Sequence, residues 1–463
     1  MRNPLLLSLK AAGALLLCGA LLVPACAQQA PPEEPPEQPP TMFPHPEDAP
    51  WWVSGQINVI FQGHPGFHAL YSGPNSLRAQ GETATSHVVT LYTAYAFNRS
   101  TEVLFDLESA SGRGLSDALG LAGITNLDAV RNPTLGIAPY IARAEVHKVF
   151  ALSSEEEDQE RIPTNSILTR MPVRRLEVRA GKMSLVDFFD VNPGGSDSHL
   201  QFLNWTADNN ASYDYAADTR GYTYAAIVEY EDRNWGLRFA EGLMPKVANG
   251  PDLDFNISRA RSENVELELR PQLVKERKTV LLFLSYVNHA NMGSYGQAVQ
   301  AFLNGTTAQP DIVATRRQGR IKYGFGFNFE HELAKNVRAF GRVGWNEGQN
   351  ESFAYTEANQ SVQIGGDWRA ESWHRPWDKF GMTFMSNAIS RAHQSYLALG
   401  GQGFLLGDGR LTYARENILE SYYNAHLWRG LYLSPNLQFI VNPGYNQDRG
   451  PVLVGGLRLH LEL

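Results

Sequence analysis

From Trp51 to the end of the chain, apolar and polar residues alternate with a period of two. In the last segment Leu453, Gly455, Leu457, Leu459, Leu461 and Leu463 share one face, and Arg458, His460 and Glu462 share the other. Tyr323, Phe325, Phe327 and Phe329 form a wholly aromatic face opposite Lys322, Gly324, Gly326 and Asn328. Tyr222 to Tyr230, Trp235 to Phe239 and Val265 to Leu269 repeat the scheme. Side chains of a strand point alternately to its two faces, so each segment predicts a strand with one apolar side. A soluble antiparallel sandwich would share this rhythm. Two features favour a membrane barrel instead. The segments run to about ten residues, the length a tilted strand needs to cross a bilayer. Tryptophan and tyrosine gather near segment ends, as at Trp51-Trp52, Tyr422-Tyr423, Trp428 and Tyr432, where amphipathic rings suit the interface.

Roughly sixteen or seventeen such segments fit the chain, and bacterial barrels favour even numbers. The pattern therefore predicts an all-β transmembrane antiparallel barrel of about 16 strands with long outer loops. Glu231 to Asn234, Ala334 to Asn336 and Arg429-Gly430 read as short turns facing the periplasm. Ser111 to Ile137, Ser153 to Arg170, Asn192 to Arg220, Met244 to Arg261, Asn291 to Gln318 and Asn346 to Gln360 read as outer loops. Within the first, Leu115 to Val130 has the composition of a short helix folded against the barrel. About sixteen strands enclose a water-filled channel and not a packed core.

The ends of the chain add a location. Residues 1–27 read as a secretory signal: Arg2 and Lys10, an apolar run from Ala11 to Val23, then Ala25-Cys26-Ala27 for cleavage. Both cysteines, Cys18 and Cys26, fall inside it, so disulfides and thiolate-bound metals are excluded from the mature chain. Residues 28–50 are a Pro/Glu tract, an extended solvated linker because proline lacks a donor and fixes φ. Residues 51–463 form the barrel domain. Losing Arg2 and Lys10 and no acid takes the net charge from −8 to −10, which argues against a nucleic-acid partner. Mean hydropathy of −0.30 rules out a bundle of membrane helices.

Strand parity then sorts charges into the lumen. Arg175, Glu177 and Arg179 point inward while Leu176, Val178 and Ala180 point to lipid. Arg238, Arg338 and Arg342 point inward by the same rule. Lys182 falls on the lipid parity and either snorkels or follows a break in the strand. Facing charges of both signs make a polar lumen with modest ion selectivity. Asp252-x-Asp254-x-Asn256 with Glu263 echoes a calcium loop, but Ile257 stands where that loop needs glycine. No metal or cofactor is expected. His393-Gln-Ser395 puts a base and a nucleophile on one strand face, as an outer-membrane lipid hydrolase would, without a third partner.

Two blocks resemble the carbohydrate-selective, OprB-like porins of bacterial outer membranes. One runs from Val178-Arg-Ala-Gly-Lys-Met183 through Asp187-Phe-Phe-Asp190 and Asn192 to His199-Leu-Gln-Phe-Leu-Asn-Trp205. The other runs from Glu420-Ser-Tyr-Tyr423 through Leu433-Ser-Pro-Asn-Leu-Gln-Phe439 and Asn442-Pro443 to Gly456-Leu-Arg-Leu-His460. Gly55-Gln-Ile-Asn58 with Leu104-Phe105 fits the first hairpin. Barrels of this kind usually end in an aromatic residue, whereas this chain ends in Leu463, on the right parity. The resemblance implies a non-enzymatic sixteen-stranded porin passing glucose and other small sugars by diffusion. It implies outer-membrane lipids and the barrel-assembly machinery as partners. It surrounds the loop carrying Asp187, Asp190 and Trp205, which become candidates for the constriction. Open beside it stand a general or ion-selective porin, a lipid hydrolase and a secreted soluble binding protein.

Overall fold

The computed structural model describes residues 41–46, 49–129 and 135–463. The expected signal, residues 1–27, and residues 28–40 of the linker lie outside the described residues. The strands are β1 (Trp51–His64), β2 (Glu82–Asn98), β3 (Thr101–Gly112), β4 (Tyr140–Ala151), β5 (Glu156–Asp158) and β6 (Arg170–Pro172). After them come β7 (Arg175–Met183), β8 (Thr223–Asp232), β9 (Trp235–Leu243), β10 (Arg261–Leu269), β11 (Thr279–Met292) and β12 (Arg317–Ala334). The last six are β13 (Val337–Asn346), β14 (Gln360–Arg369), β15 (Lys379–Ala388), β16 (Glu416–Trp428), β17 (Leu431–Val441) and β18 (Val452–Glu462). All but β5 and β6 form one closed antiparallel barrel, so sixteen strands go round. β18 returns to β1, pairing Leu459 with Val59 and Leu461 with Ile57. Closure removes every free sheet edge, which is what lets strands lie in hydrocarbon. Among the described residues no helix is long and apolar enough to cross a membrane.

The burial pattern is inside-out. Phe325 is 56% exposed and Ile364 59%, while Lys322, Asn264 and Asn288 are fully buried. Outward aromatics pack on one another, as where Phe325 stacks on Trp345 with centroids 6.1 Å apart. This is a lipid-facing surface around a polar interior. Parity holds in the segments read from the sequence. Leu453, Leu457 and Leu459 face out and Arg458 and His460 face in. Lys182 faces out on an unbroken β7, next to Gly181 at a φ of +144°, and donates to Ile141 O at 2.8 Å.

Three expectations change. Because strands alternate direction, the connection 152–174 lies on the end of the barrel with the short turns, so Ser153 to Arg170 is not an outer loop. Period two marks a strand and says nothing of which end its connection leaves from. Among the described residues of the expected helix Leu115 to Val130, the one helical element is the 3-10 turn Leu115–Asp117, and Leu121, Ala122 and Ile124 are buried inside the barrel. The helix Arg391–Ala398 replaces the strand expected around His393. Residues two apart on a helix do not share a face, which removes the base–nucleophile arrangement. His393 is buried and stacks on Tyr295 at 4.0 Å instead.

Candidate lumen site

The connection between β7 and β8, residues 184–222, folds into the barrel and occupies its middle. It begins with the 3-10 turn Leu185–Asp187. Its one helical turn, Trp205–Asp208, is capped by Asn204, whose side chain accepts from Thr206 N. A loop buried in this way carries backbone groups that need partners. Inward side chains of the strands supply them. The Nε of Arg342 lies 2.8 Å from Asp190 Oδ2. Its Nη1 donates to Ala207 O at 2.9 Å and its Nη2 to Ser196 Oγ at 2.6 Å. Glu266 accepts from Asp190 N at 2.8 Å, and Glu420 accepts from Leu203 N at 2.6 Å. Arg458 donates to Ser198 O at 2.9 Å and Gln201 O at 2.8 Å. Asn210 reaches the wall where it carries glycine. A Cβ on Gly326 would sit 2.8 Å from Asn210 Nδ2, and one on Gly344 would collide with its carbonyl oxygen.

Beside this loop, towards the short-turn end, the lumen keeps a cavity of about 270 Å³. Its lining carries five basic residues (Arg175, Arg179, Arg238, Arg270, Lys278) and six acids (Glu177, Asp187, Glu229, Glu231, Glu268, Glu330). These charges are laced together. Arg238 lies 2.7 Å from Glu229, 2.8 Å from both Glu266 and Glu268, and 3.6 Å from Glu231. Arg175 pairs with Glu177 at 2.6 Å, and Arg179 with Glu145 at 3.0 Å. Arg143 binds Asp106 at 3.0 Å, Glu145 at 3.2 Å and also Asp187. The Asp187 side chain keeps a third of its surface open, while Arg143 is buried. Phe188 backs the group, with the Arg179 guanidinium 5.0 Å above its ring.

A second polar group lines the barrel wall nearer the outer end. Glu108 accepts from the hydroxyls of Tyr140 and Tyr222 and from Thr90 at 3.1 Å. Arg220 lies 4.2 Å over the Tyr140 ring. His199 meets Gln56 at 3.1 Å.

Of the nine residues picked out by parity and resemblance, Arg175, Glu177, Arg179, Arg238 and Asp187 line the cavity together. The other four are corrected in place. Arg342 and Asp190 are buried against each other as the pin of the loop. Trp205 packs flat on Tyr355 at 5.6 Å. Arg338 sits beside the cavity, held by Asp367 at 2.5 Å and donating to Pro193 O at 2.9 Å. Inward parity cannot separate a side chain that meets solute from one that meets a returning loop. Arg143 and Glu145 on β4 and Glu108 on β3 were legible by the same parity; Tyr140 has the opposite parity to Arg143 and is turned inward by the irregularity at Ala142, and Asn165, also on the lining, carried no signal.

Within the loop, burial pushes the Asp208 carboxyl up to about 8, aided by the charge of Asp197 and opposed by Arg342. The folded loop therefore favours the neutral acid. Its contribution to loop docking is complete below the ordinary carboxylate range near pH 4 and is lost as pH climbs through about 8. Hydrogen exchange of residues 203–212 should accelerate between about pH 5 and pH 9 beyond the intrinsic rate, and Asp208→Asn should flatten that extra rise. An equal rise in both proteins would contradict it.

A sequence model of the family described as "Carbohydrate-selective porin, OprB family" matches residues 74–463. Among solved structures, the Pseudomonas putida OprB structure at high pH aligns with a TM-score of 0.67 and 14% identity, covering 89% of this chain and 94% of that one. The low-pH structure of the same protein gives 0.48 and 10%, covering 89% and 92%. The channel DcaP of Acinetobacter baumannii gives 0.47 and 7%, covering 89% and 97%. No curated protein matches the chain.

Proposed function

The chain belongs to the OprB family of carbohydrate-selective porins, and from that premise we propose that glucose and similar small sugars diffuse through the cavity beside the 184–222 loop. It is a β-barrel porin of the bacterial outer membrane. The observation that carries the sugar reading is the balance of the lining: five basic against six acidic side chains, laced by ion pairs. Such a wall presents guanidinium donors and carboxylate acceptors at close spacing with little net field. Sugar hydroxyls both donate and accept, so they exchange with this wall, whereas an ion of either sign meets a like charge. Phe188 adds an apolar face in the same cavity. No bond is made or broken in this passage, and no nucleophile is required. Outer-membrane lipids would meet the outward apolar belt, and the barrel-assembly machinery would act on the chain during its biogenesis.

Swelling of liposomes that hold the purified mature chain tests this. Glucose should enter faster than disaccharides and faster than charged solutes of its own size. Equal entry of all small solutes would make the protein a general porin. No entry from heat-modifiable, folded protein would overturn the reading.

A further inference from the structure

The connection 152–174 is out of proportion to its end of the barrel. The other connections there run from two residues, as at Arg233-Asn234, to nine, as at 270–278. It carries a small hairpin in which β5 pairs with β6 and Glu157 faces Met171. At its tip Ile162 N donates to Ser166 O at 2.8 Å, closing a tight turn over Pro163, Thr164 and Asn165. The tip does not hang in water. It turns up into the barrel and is gripped by inward side chains of the wall. Ser166 Oγ donates to Glu102 Oε1 at 2.6 Å, and Ile167 N donates to Glu102 Oε2 at 2.9 Å. Arg179 donates to Asn165 O at 2.7 Å and to Asn165 Oδ1 at 2.9 Å. Ile167 packs with Ala94 and Leu104, and Leu168 with Val149 and Met171. At the hairpin's outer side Arg161 donates to the carbonyls of Pro46 at 2.7 Å, Ala49 at 3.0 Å and Trp51 at 3.1 Å. The hairpin is thus tied both to the wall and to the segment entering β1.

We propose that this tip is an inner constriction at the exit of the channel, with Asn165 a solute-contacting residue that sets the size limit and favours neutral solutes. Three observations meet on it. Asn165 lines the same cavity as Arg175, Glu177 and Arg179, so its amide stands in the path. Its side chain is exposed there, and among the described residues its Nδ2 donates to nothing. Its carbonyl oxygen is already bound by Arg179, which also contacts Glu145 at 3.0 Å. The tip therefore fixes where the Arg179 fork points and leaves one uncharged donor facing the solute. An amide donor serves a hydroxyl without adding charge to the balanced wall. The inference rests on the lumen being the solute path described above.

Two variants test it in planar bilayers and liposomes. Asn165→Trp changes one exposed side chain and should lower both KCl conductance and glucose uptake about threefold by filling the exit. Replacing residues 156–170 by a short Gly-Ser turn should raise KCl conductance at least about twofold and admit disaccharides that the parent excludes. Heat-modifiable migration establishes that each variant is folded. Conductance and size limit equal to the parent in folded Asn165→Trp would overturn the constriction, whatever the hairpin replacement does. If the parent takes up no sugar yet both variants shift KCl conductance as stated, the constriction stands and the sugar reading fails.

Discussion

Arg342→Ala should open the lumen: single-channel conductance rises several-fold while the barrel stays folded and heat-modifiable. The arginine is buried on β13 and is the main grip of the wall on the 184–222 loop. It holds the Asp190 carboxylate at 2.8 Å and the carbonyl of Ala207 at 2.9 Å, and its Nη1 also donates to Gln363 at 2.9 Å. Truncation leaves the Asp190 carboxylate buried without its cation and a loop carbonyl without its donor. Breaking a buried pair in this way costs about 3–5 kcal/mol, comparable with what holds a loop in place. The barrel itself depends on ladder hydrogen bonds between sixteen strands, none of which passes through this side chain. Arg342→Lys should rescue only partly, because an ammonium cannot span Asp190, Ala207 and Ser196 at once. The measurement is conductance in planar bilayers, with hydrogen exchange of residues 185–212 as the structural readout. A variant whose conductance and exchange both match the parent would show that the loop is held by other contacts.

The second large effect is on ion preference. Arg238→Gln removes the cation that touches all four of Glu229, Glu231, Glu266 and Glu268, leaving Arg270 on Glu231 at 2.6 Å and Glu268 at 2.7 Å. Three of these acids, Glu229, Glu231 and Glu268, line the cavity, which would then hold four basic residues against six acids. The reversal potential across a KCl gradient should move towards cations, and more so at low salt, where screening is weaker. Thermal stability should fall with it by about 3–5 kcal/mol, the cost of leaving the buried Glu229 and Glu266 without their cation. Glu266 also holds Asp190 N, so part of that loss appears as loosening of the loop. An unchanged reversal potential in folded protein would mean that these carboxylates do not face the ion path. Glutamine keeps the length of the side chain and much of its packing, so a change in potential reports the charge.

These two residues also show how much was readable before the structure. The inward direction of both Arg238 and Arg342 follows from strand parity alone, as does the outward direction of Phe325 and Leu457. What parity could not supply is that Arg238 borders open space while Arg342 is covered by the returning loop. The same limit applies to Asp190 and Trp205, which lie in the right loop and point into its packing. The connection 152–174 was placed at the wrong end because its polar composition matches that of an outer loop. Only counting strands round a closed barrel sets the end from which it leaves. At His393 the apolar and polar positions fit either period over so short a run, and burial of one helix face against Tyr295 decided for the helix.

By itself, then, the chain determined the barrel, the hand of each strand face and the charge of the lumen. All three follow from alternation, which covalent geometry imposes locally on any extended backbone. The tertiary structure alone decided which lumen side chains remain open. That depends on where long connections return, and their return is set by contacts between residues far apart in sequence, such as Arg342 with Asp190 and Arg179 with Asn165. A polar side chain satisfies water and a loop carbonyl equally well, so its type cannot announce which one it will meet.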